Sequence, residues 1–123
     1  MSNEIVSWPE IPVRNMDRAR AFYERVMELE IVDLPVGNEI YACFSNRAVD
    51  GYTGALVQYD FTDPGKTGAL VYLDSNGDLP GMLSRIRAAG GNIVKDEQEI
   101  APGFGSFALF EDTEGNLLGL IGS

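Results

Sequence analysis

Few residues in this chain can do covalent or metal chemistry, and the gaps are as informative as what is present. Histidine is absent from all 123 positions. Without it there is no Ser-His-Asp or Cys-His nucleophile pair, no two-His-one-carboxylate iron triad, no imidazole-bound zinc and no imidazole proton shuttle. The one cysteine, Cys43, lies in an apolar run with no base to activate it and reads as a small core residue. It allows neither an intrachain disulfide nor a thiolate zinc cluster. Chemistry here must run on carboxylates, phenols, Lys, Arg or backbone groups.

Two stretches imitate known loops and fail on count. Lys66-Thr67 follows Pro64-Gly65, but a phosphate-cradling loop needs glycine where Asp60 stands. Asp74-Ser75-Asn76-Gly77-Asp78 has the opening of a calcium loop, yet the twelfth position from Asp74 is Arg85 instead of Glu. The first reads as a turn between strands, the second as a strand end, turn and helix cap. Asp96-Glu97-Gln98-Glu99 reads as a solvated turn. Phe104, flanked by Gly103 and Gly105, sits in a loop from Ala101 to Ser106 that could fold over a neighbouring concavity.

Charge narrows the partners. Nine Lys+Arg against nineteen Asp+Glu leave a net charge of −10, which repels phosphate backbones and anionic lipid and favours cationic ligands. No nucleic acid and no membrane partner is expected. No run approaches eighteen apolar residues, and Met1 to Glu10 lacks the basic and apolar blocks of a signal peptide, so the expected location is cytoplasmic. At 45% hydrophobic and 23% charged, the chain has globular composition and the length of one domain, 1–123.

The elements that must position these groups come in two similar sets. Glu4 to Arg14 alternates apolar residues (Ile5, Ile11, Val13) as a strand does. Asn15 then caps a helix whose apolar positions are Ala19, Phe22, Tyr23 and Val26. Sixty residues on, Gly68 to Asp74 reads as a strand, and Asp78 followed by Leu79-Pro80 caps a second helix ended by Gly90-Gly91. Its apolar positions are Leu79, Met82, Leu83 and Ile86, each sixty residues after its counterpart, and Val13 matches Leu73 at the same offset. Agreement of strand, helix and apolar register argues for an internal repeat, about 4–62 and 66–123. Short strands follow each helix: Glu30–Leu34, Glu39–Phe44 and Gly54–Tyr59, then Asn92–Lys95, Ser106–Phe110 and Asn116–Ile121. Turn signals at Val36-Gly37-Asn38, Asp63-Pro64-Gly65, Pro102-Gly103 and Glu114-Gly115-Asn116 separate strands within and between the two sets. The fold class is α+β: two β-α-β-β-β modules forming a cupped eight-stranded mixed sheet, with helices on the convex face and a binding cup on the other.

On these residues the chain resembles a known superfamily. Glu10-Ile11-Pro12-Val13-Arg14-Asn15-Met16-Asp17-Arg18-Ala19-Arg20-Ala21-Phe22-Tyr23 is similar to the opening of vicinal oxygen chelate proteins, which include glyoxalase I, bleomycin-resistance proteins and extradiol dioxygenases. Glu111-Asp112-Thr113-Glu114-Gly115-Asn116-Leu117-Leu118-Gly119-Leu120 resembles their D-P-x-G-N hairpin and last strand. Ala88-Ala89-Gly90-Gly91 and Pro102-Gly103-Phe104-Gly105 fall where such proteins carry them. The resemblance implies a homodimer with cups near the interface.

It also implies a metal site to look for, because the family's enzymes hold a divalent ion with four side chains, commonly His, Glu or Gln. By position these fall on Trp8, on Gln58 to within one residue, on Gly68 and on Gly119. An indole and two glycines supply no ligand, so the expected cofactor is none. The alternative is a divalent metal on an altered set with Glu10 and Gln58. Strand parity puts Glu10 on the face of Trp8, Leu70 and Tyr72 on that of Gly68, and Leu117 and Ile121 on that of Gly119. The small residues at 68 and 119 then leave room in the cup.

The ligand-binding candidates are Trp8, Glu10, Gln58, Tyr72 and Phe104. No catalytic residue is identified, and Glu10 is the candidate if there is one. Three functions follow: a metal-independent protein that binds an amphipathic, cationic small molecule, a glyoxalase-like lyase or isomerase, and a dimeric protein-interaction module.

Overall fold

A computed structural model describes residues 5–37, 39–45 and 50–122; the side chains of Val36, Glu39 and Ile40 also lie outside the description. Glu4, where the sequence reading begins its first strand, and Asn38 of the first turn fall outside the described residues.

Both helices form where local signals put them. α1 (Met16–Met27) is capped by Asn15, whose side chain accepts from the Arg18 amide at 3.0 Å, and it buries Ala19, Phe22, Tyr23, Val26 and Met27. α2 (Leu79–Ala88) is capped by Asp78, which accepts from the Gly81 amide at 3.1 Å, and it buries Leu79, Met82, Leu83 and Ile86. The chain leaves α2 through Gly90 at φ +97° and Gly91, where a Cβ would stand 2.7 Å from Ile86 and 2.9 Å from the ring of Phe22 on α1. Glycine is what lets the two helices close on each other there.

Eight strands accompany them: β1 (Glu10–Pro12), β2 (Ile31–Val36), β3 (Glu39–Ser45), β4 (Tyr52–Val57), β5 (Tyr72–Asp74), β6 (Asn92–Glu99), β7 (Ser106–Glu111) and β8 (Leu117–Gly122). They make two four-stranded mixed sheets, ordered β1-β4-β3-β2 and β5-β8-β7-β6, where the sequence reading has one cupped sheet of eight. The second sheet repeats the order of the first. In each, the strand before the helix pairs in parallel with the last strand of its set, at Glu10↔Ala55 and Tyr72↔Gly119. Among the described residues, eight strands and two helices make an α+β fold with no closed barrel.

Three strands differ from expectation for physical reasons. The first is three residues long, since Pro9 and Pro12 carry no amide proton for a ladder. The strand expected over Gly68–Asp74 begins only at Tyr72, because Gly68 turns the chain at φ +91°. Asp96–Glu99, read as a turn, completes β6. This is an edge strand with no buried face, so no apolar alternation announces it.

One core joins both sheets and both helices, with Ile11, Val13, Phe22, Tyr23, Phe44, Leu56, Met82, Ile86, Phe110 and Leu120 among its members. It uses one face of each sheet. On the other face of the first sheet a smaller cluster gathers Cys43, Ala55 and Val57 with Leu34, Tyr41 and Tyr59. Among the described residues, no helix is long and apolar enough to cross a membrane.

Candidate functional site

The site is best built from β1 outward. Parallel pairing with β4 sets Glu10 opposite Ala55, on the face away from the helices, while Ile11 and Val13 turn into the core. The Trp8 indole donates from Nε1 to Glu10 Oε2 at 3.2 Å, so the expected shared face of Trp8 and Glu10 is present. The other carboxylate oxygen, Oε1, accepts from the Tyr59 hydroxyl at 3.0 Å. Tyr59 in turn stands 2.5 Å from the Tyr41 hydroxyl, with the two rings edge to face. Tyr59 has one proton. Given to Glu10, it leaves the Tyr59 oxygen to accept from Tyr41.

The electrostatics follow from that chain. Burial, then the bonds to Tyr41 and Glu10, push the Tyr59 phenol well above its ordinary range, so it stays a donor. Among the described residues, the groups bonded to Glu10 are neutral and the carboxylate makes no ion pair. Below, Cys43 is buried and its thiol is pushed up, first by burial and then by the charges of Asp33 and Glu10, which leaves it inert as a nucleophile.

Glu10 also borders an open cleft of about 390 Å³ along the seam between the sheets. One wall is β1. The other is the connection carrying Asp63, Pro64, Gly65, Thr67, Ala69 and Val71, with Asn116, Leu117 and Leu118 between them. Asn116 ties the walls together: its Nδ2 donates to the Pro12 carbonyl at 2.8 Å, and its Oδ1 accepts from the Gly65 amide at 3.0 Å. Among the described residues, the lining includes the carboxylates Glu10 and Asp63 and no Lys or Arg.

The residues from 5 to 120 match the family model of the Glyoxalase/Bleomycin resistance protein/Dioxygenase superfamily. The chain belongs to that superfamily. Among solved structures, it is similar to a superfamily member from Sphaerobacter thermophilus (21% identity, 96% of each chain, TM-score 0.72). It is also similar to TnmS3, described as an antibiotic binding protein from Streptomyces sp. CB03234 (20% identity, 98% of this chain and 97% of that, TM-score 0.62). A third relative is the fosfomycin resistance protein FosX of Listeria monocytogenes (17% identity, 98% of this chain and 91% of that, TM-score 0.69). At these identities the likeness is one of fold. No curated protein matches the sequence.

Against the superfamily's four metal-ligand positions, the local geometry does not suit a divalent ion. The Glu10 oxygens accept from an indole and a phenol, and among the described residues no second carboxylate converges on them. Among the described residues, no three of His, Cys, Asp or Glu gather closely enough to hold a metal. Gly68 is open, with nothing within 4 Å of where a Cβ would stand, whereas the room expected over Gly119 is taken: a Cβ there would lie 2.4 Å from the Tyr72 ring.

The remaining candidates disperse. The Gln58 amide donates to the Arg14 carbonyl at 3.0 Å and does not join Glu10. Tyr72, 41% exposed, lies edge to face with Phe107 on the second sheet's open face, where Lys95 sits over the Phe107 ring. Phe104 is 73% exposed at the tip of the β6–β7 connection, its amide bonded to Ala101. Sequence reasoning missed Tyr41 and Tyr59. The available signal was parity along β4, since positions 55, 57 and 59 share a face, and Tyr59 lies within the one-residue margin given for Gln58.

Proposed function

We propose that this member of the superfamily is a metal-independent binding protein for an amphipathic, cationic small molecule, with Glu10 as the seat of the cation. The carrying observation is the Glu10 carboxylate: oriented on both oxygens by neutral donors, borne by a residue that borders a cleft, and without an ion-pair partner among the described residues. A ligand's ammonium, guanidinium or amidinium group supplies that charge, and Trp8 and Tyr59 add ring faces that attract it. The apolar walls at Ile11, Pro12, Val71 and Leu118 take the ligand's hydrocarbon part. The net charge of −10 steers cations toward the protein. The antibiotic-binding description of TnmS3 supports a sequestering function of this kind.

The working unit we infer is a homodimer in the cytoplasm. Leu70, Tyr72 and Ile121 leave apolar surface exposed on or near the second sheet, which a second copy would cover. The lone buried thiol suits a reducing compartment.

Titration calorimetry with an aliphatic cation such as decyltrimethylammonium, kept below micelle formation, tests the reading. Wild type should bind, and Glu10→Gln should lose about tenfold or more in affinity while keeping its melting temperature. Equal binding by both proteins would sink Glu10 as the seat. Binding by neither would sink the function.

A further inference from the structure

We propose that Tyr59 and Phe61 form an aromatic subsite beside Glu10, which narrows the ligand class to planar aromatic cations. This rests on the binding function above and goes beyond it, since a cation seat alone does not distinguish a flat ring from an alkyl chain. Just past the end of β4, the rings of Tyr59 and Phe61 stack with centroids 4.6 Å apart and planes 10° from parallel. Phe61 is nonetheless 81% exposed. One of its faces is covered by Tyr59, and the other is left to solvent.

An isolated surface phenylalanine needs no explanation, but this one is held in place. Tyr59 is fixed at its hydroxyl by Glu10 and Tyr41 and at its ring edge by Tyr41, and Phe61 lies on that fixed ring. A platform ordered before binding loses little entropy when a ligand's ring extends the stack. The same tyrosine that anchors the platform donates to the Glu10 carboxylate, so stacking and charge recognition meet in one side chain. A planar cation satisfies both at once. An aliphatic cation satisfies only the charge.

The test compares two probes of equal charge, proflavine (planar, aromatic) and decyltrimethylammonium (aliphatic), titrated into wild type, Phe61→Leu and Glu10→Gln. Phe61→Leu keeps an apolar side chain and removes the ring, at an exposed position where the fold should tolerate it. Proflavine should bind wild type more tightly than decyltrimethylammonium. Phe61→Leu should weaken proflavine about fivefold to tenfold, the usual worth of an aromatic pair, and leave decyltrimethylammonium within about twofold. Glu10→Gln should weaken both.

Equal losses for both probes in Phe61→Leu, or no loss for either, would overturn the subsite while leaving Glu10 and the binding function standing. Failure of both probes to bind wild type would overturn the function and the subsite together. Sedimentation of the same proteins covers the remaining occupant: if Phe61→Leu splits a dimer without changing proflavine affinity per chain, the ring belongs to an interface between copies and the subsite proposal fails.

Discussion

Two tyrosine–carboxylate pairs stand in this molecule, alike in chemistry and opposite in surroundings. Tyr23 on α1 donates to Asp112 at 2.6 Å in the buried core, and Tyr59 donates to Glu10 at 3.0 Å beside the open cleft. Around the first pair, every acceptor is used. Asp112 also takes the amides of Glu114 and Asn116 and the Asn116 side chain. Next to it Glu114, 2% exposed, accepts from the Arg14 and Asn15 amides, from Thr113 and from two nitrogens of Arg18. That knot closes the start of α1 onto the β7–β8 hairpin, about a hundred residues away in the chain. Around the second pair the donors are neutral, Glu10 borders the cleft, and no ion pair forms among the described residues. A carboxylate with its charge and hydrogen bonds satisfied inside the protein stabilises the fold, whereas one left without a counter-charge is free to recognise something else.

The largest effect should come from breaking the knot. Glu114→Ala removes a buried carboxylate and strands two helix N-terminal amides, so we expect a loss of about 3 kcal/mol in urea unfolding. Acid should do the same to the wild type. Burial alone would raise the Glu114 carboxyl, but the bonds from Arg18, Asn15, Arg14 and Thr113 outweigh it and bring it down to about 2, from an ordinary 4.5. A carboxyl lowered on folding contributes stability that is complete above its unfolded value and lost as pH falls through its folded one. Stability should therefore drop by about 3 kcal/mol between pH 4.5 and 2. Glu114→Gln should start lower and lose much less over that interval. A parallel acid curve in the variant would show that the knot does not govern acid unfolding.

Neither carboxylate's role could be read fully from the sequence, and the reasons differ. The helices were legible because their signals are local: apolar residues at i, i+3, i+4 and i+7, and caps at Asn15 and Asp78 within three residues of the amides they serve. The shared face of Trp8 and Glu10 was legible for the same reason. Glu114 looked like one residue of a hairpin, since its partners at positions 14, 15 and 18 become neighbours only through tertiary folding. Tyr59 was missed because it lies past the end of β4, where parity alone did not say whether residue 58 or 59 meets Glu10. Gly119 was read as empty space, and only the parallel register with Tyr72 shows a ring lying on it.

The two phenols give the sharpest single-atom comparison. Tyr23→Phe leaves a buried Asp112 oxygen short of a donor and should cost about 2 kcal/mol. Tyr59→Phe releases Glu10 and Tyr41 where water can replace the lost bonds, and should cost about 0.5 kcal/mol. Affinity should reverse the order. Binding of a cationic probe should weaken several-fold in Tyr59→Phe and stay unchanged in Tyr23→Phe. If both variants lose stability alike, Glu10 and Tyr59 are as structural as the knot and the comparison collapses.

The smallest expected effect is none at all, and it tests the cleft against the chemistry known elsewhere in the superfamily. A metal bound to the native state at 100 times its dissociation constant adds about 2.7 kcal/mol, a shift of several degrees in a chain of this size. Mg²⁺, Mn²⁺, Ni²⁺ and Zn²⁺ added in excess to chelator-treated protein should leave its melting temperature where it was. Among the described residues Glu10 has no second carboxylate beside it, so a hard cation there would gain one anionic ligand where such ions take two or more. An organic cation makes no such demand, because one carboxylate and the neighbouring rings are enough to hold it. A stabilising shift with one metal, abolished by Glu10→Gln, would reverse this argument and make Glu10 the first ligand of a relocated metal centre.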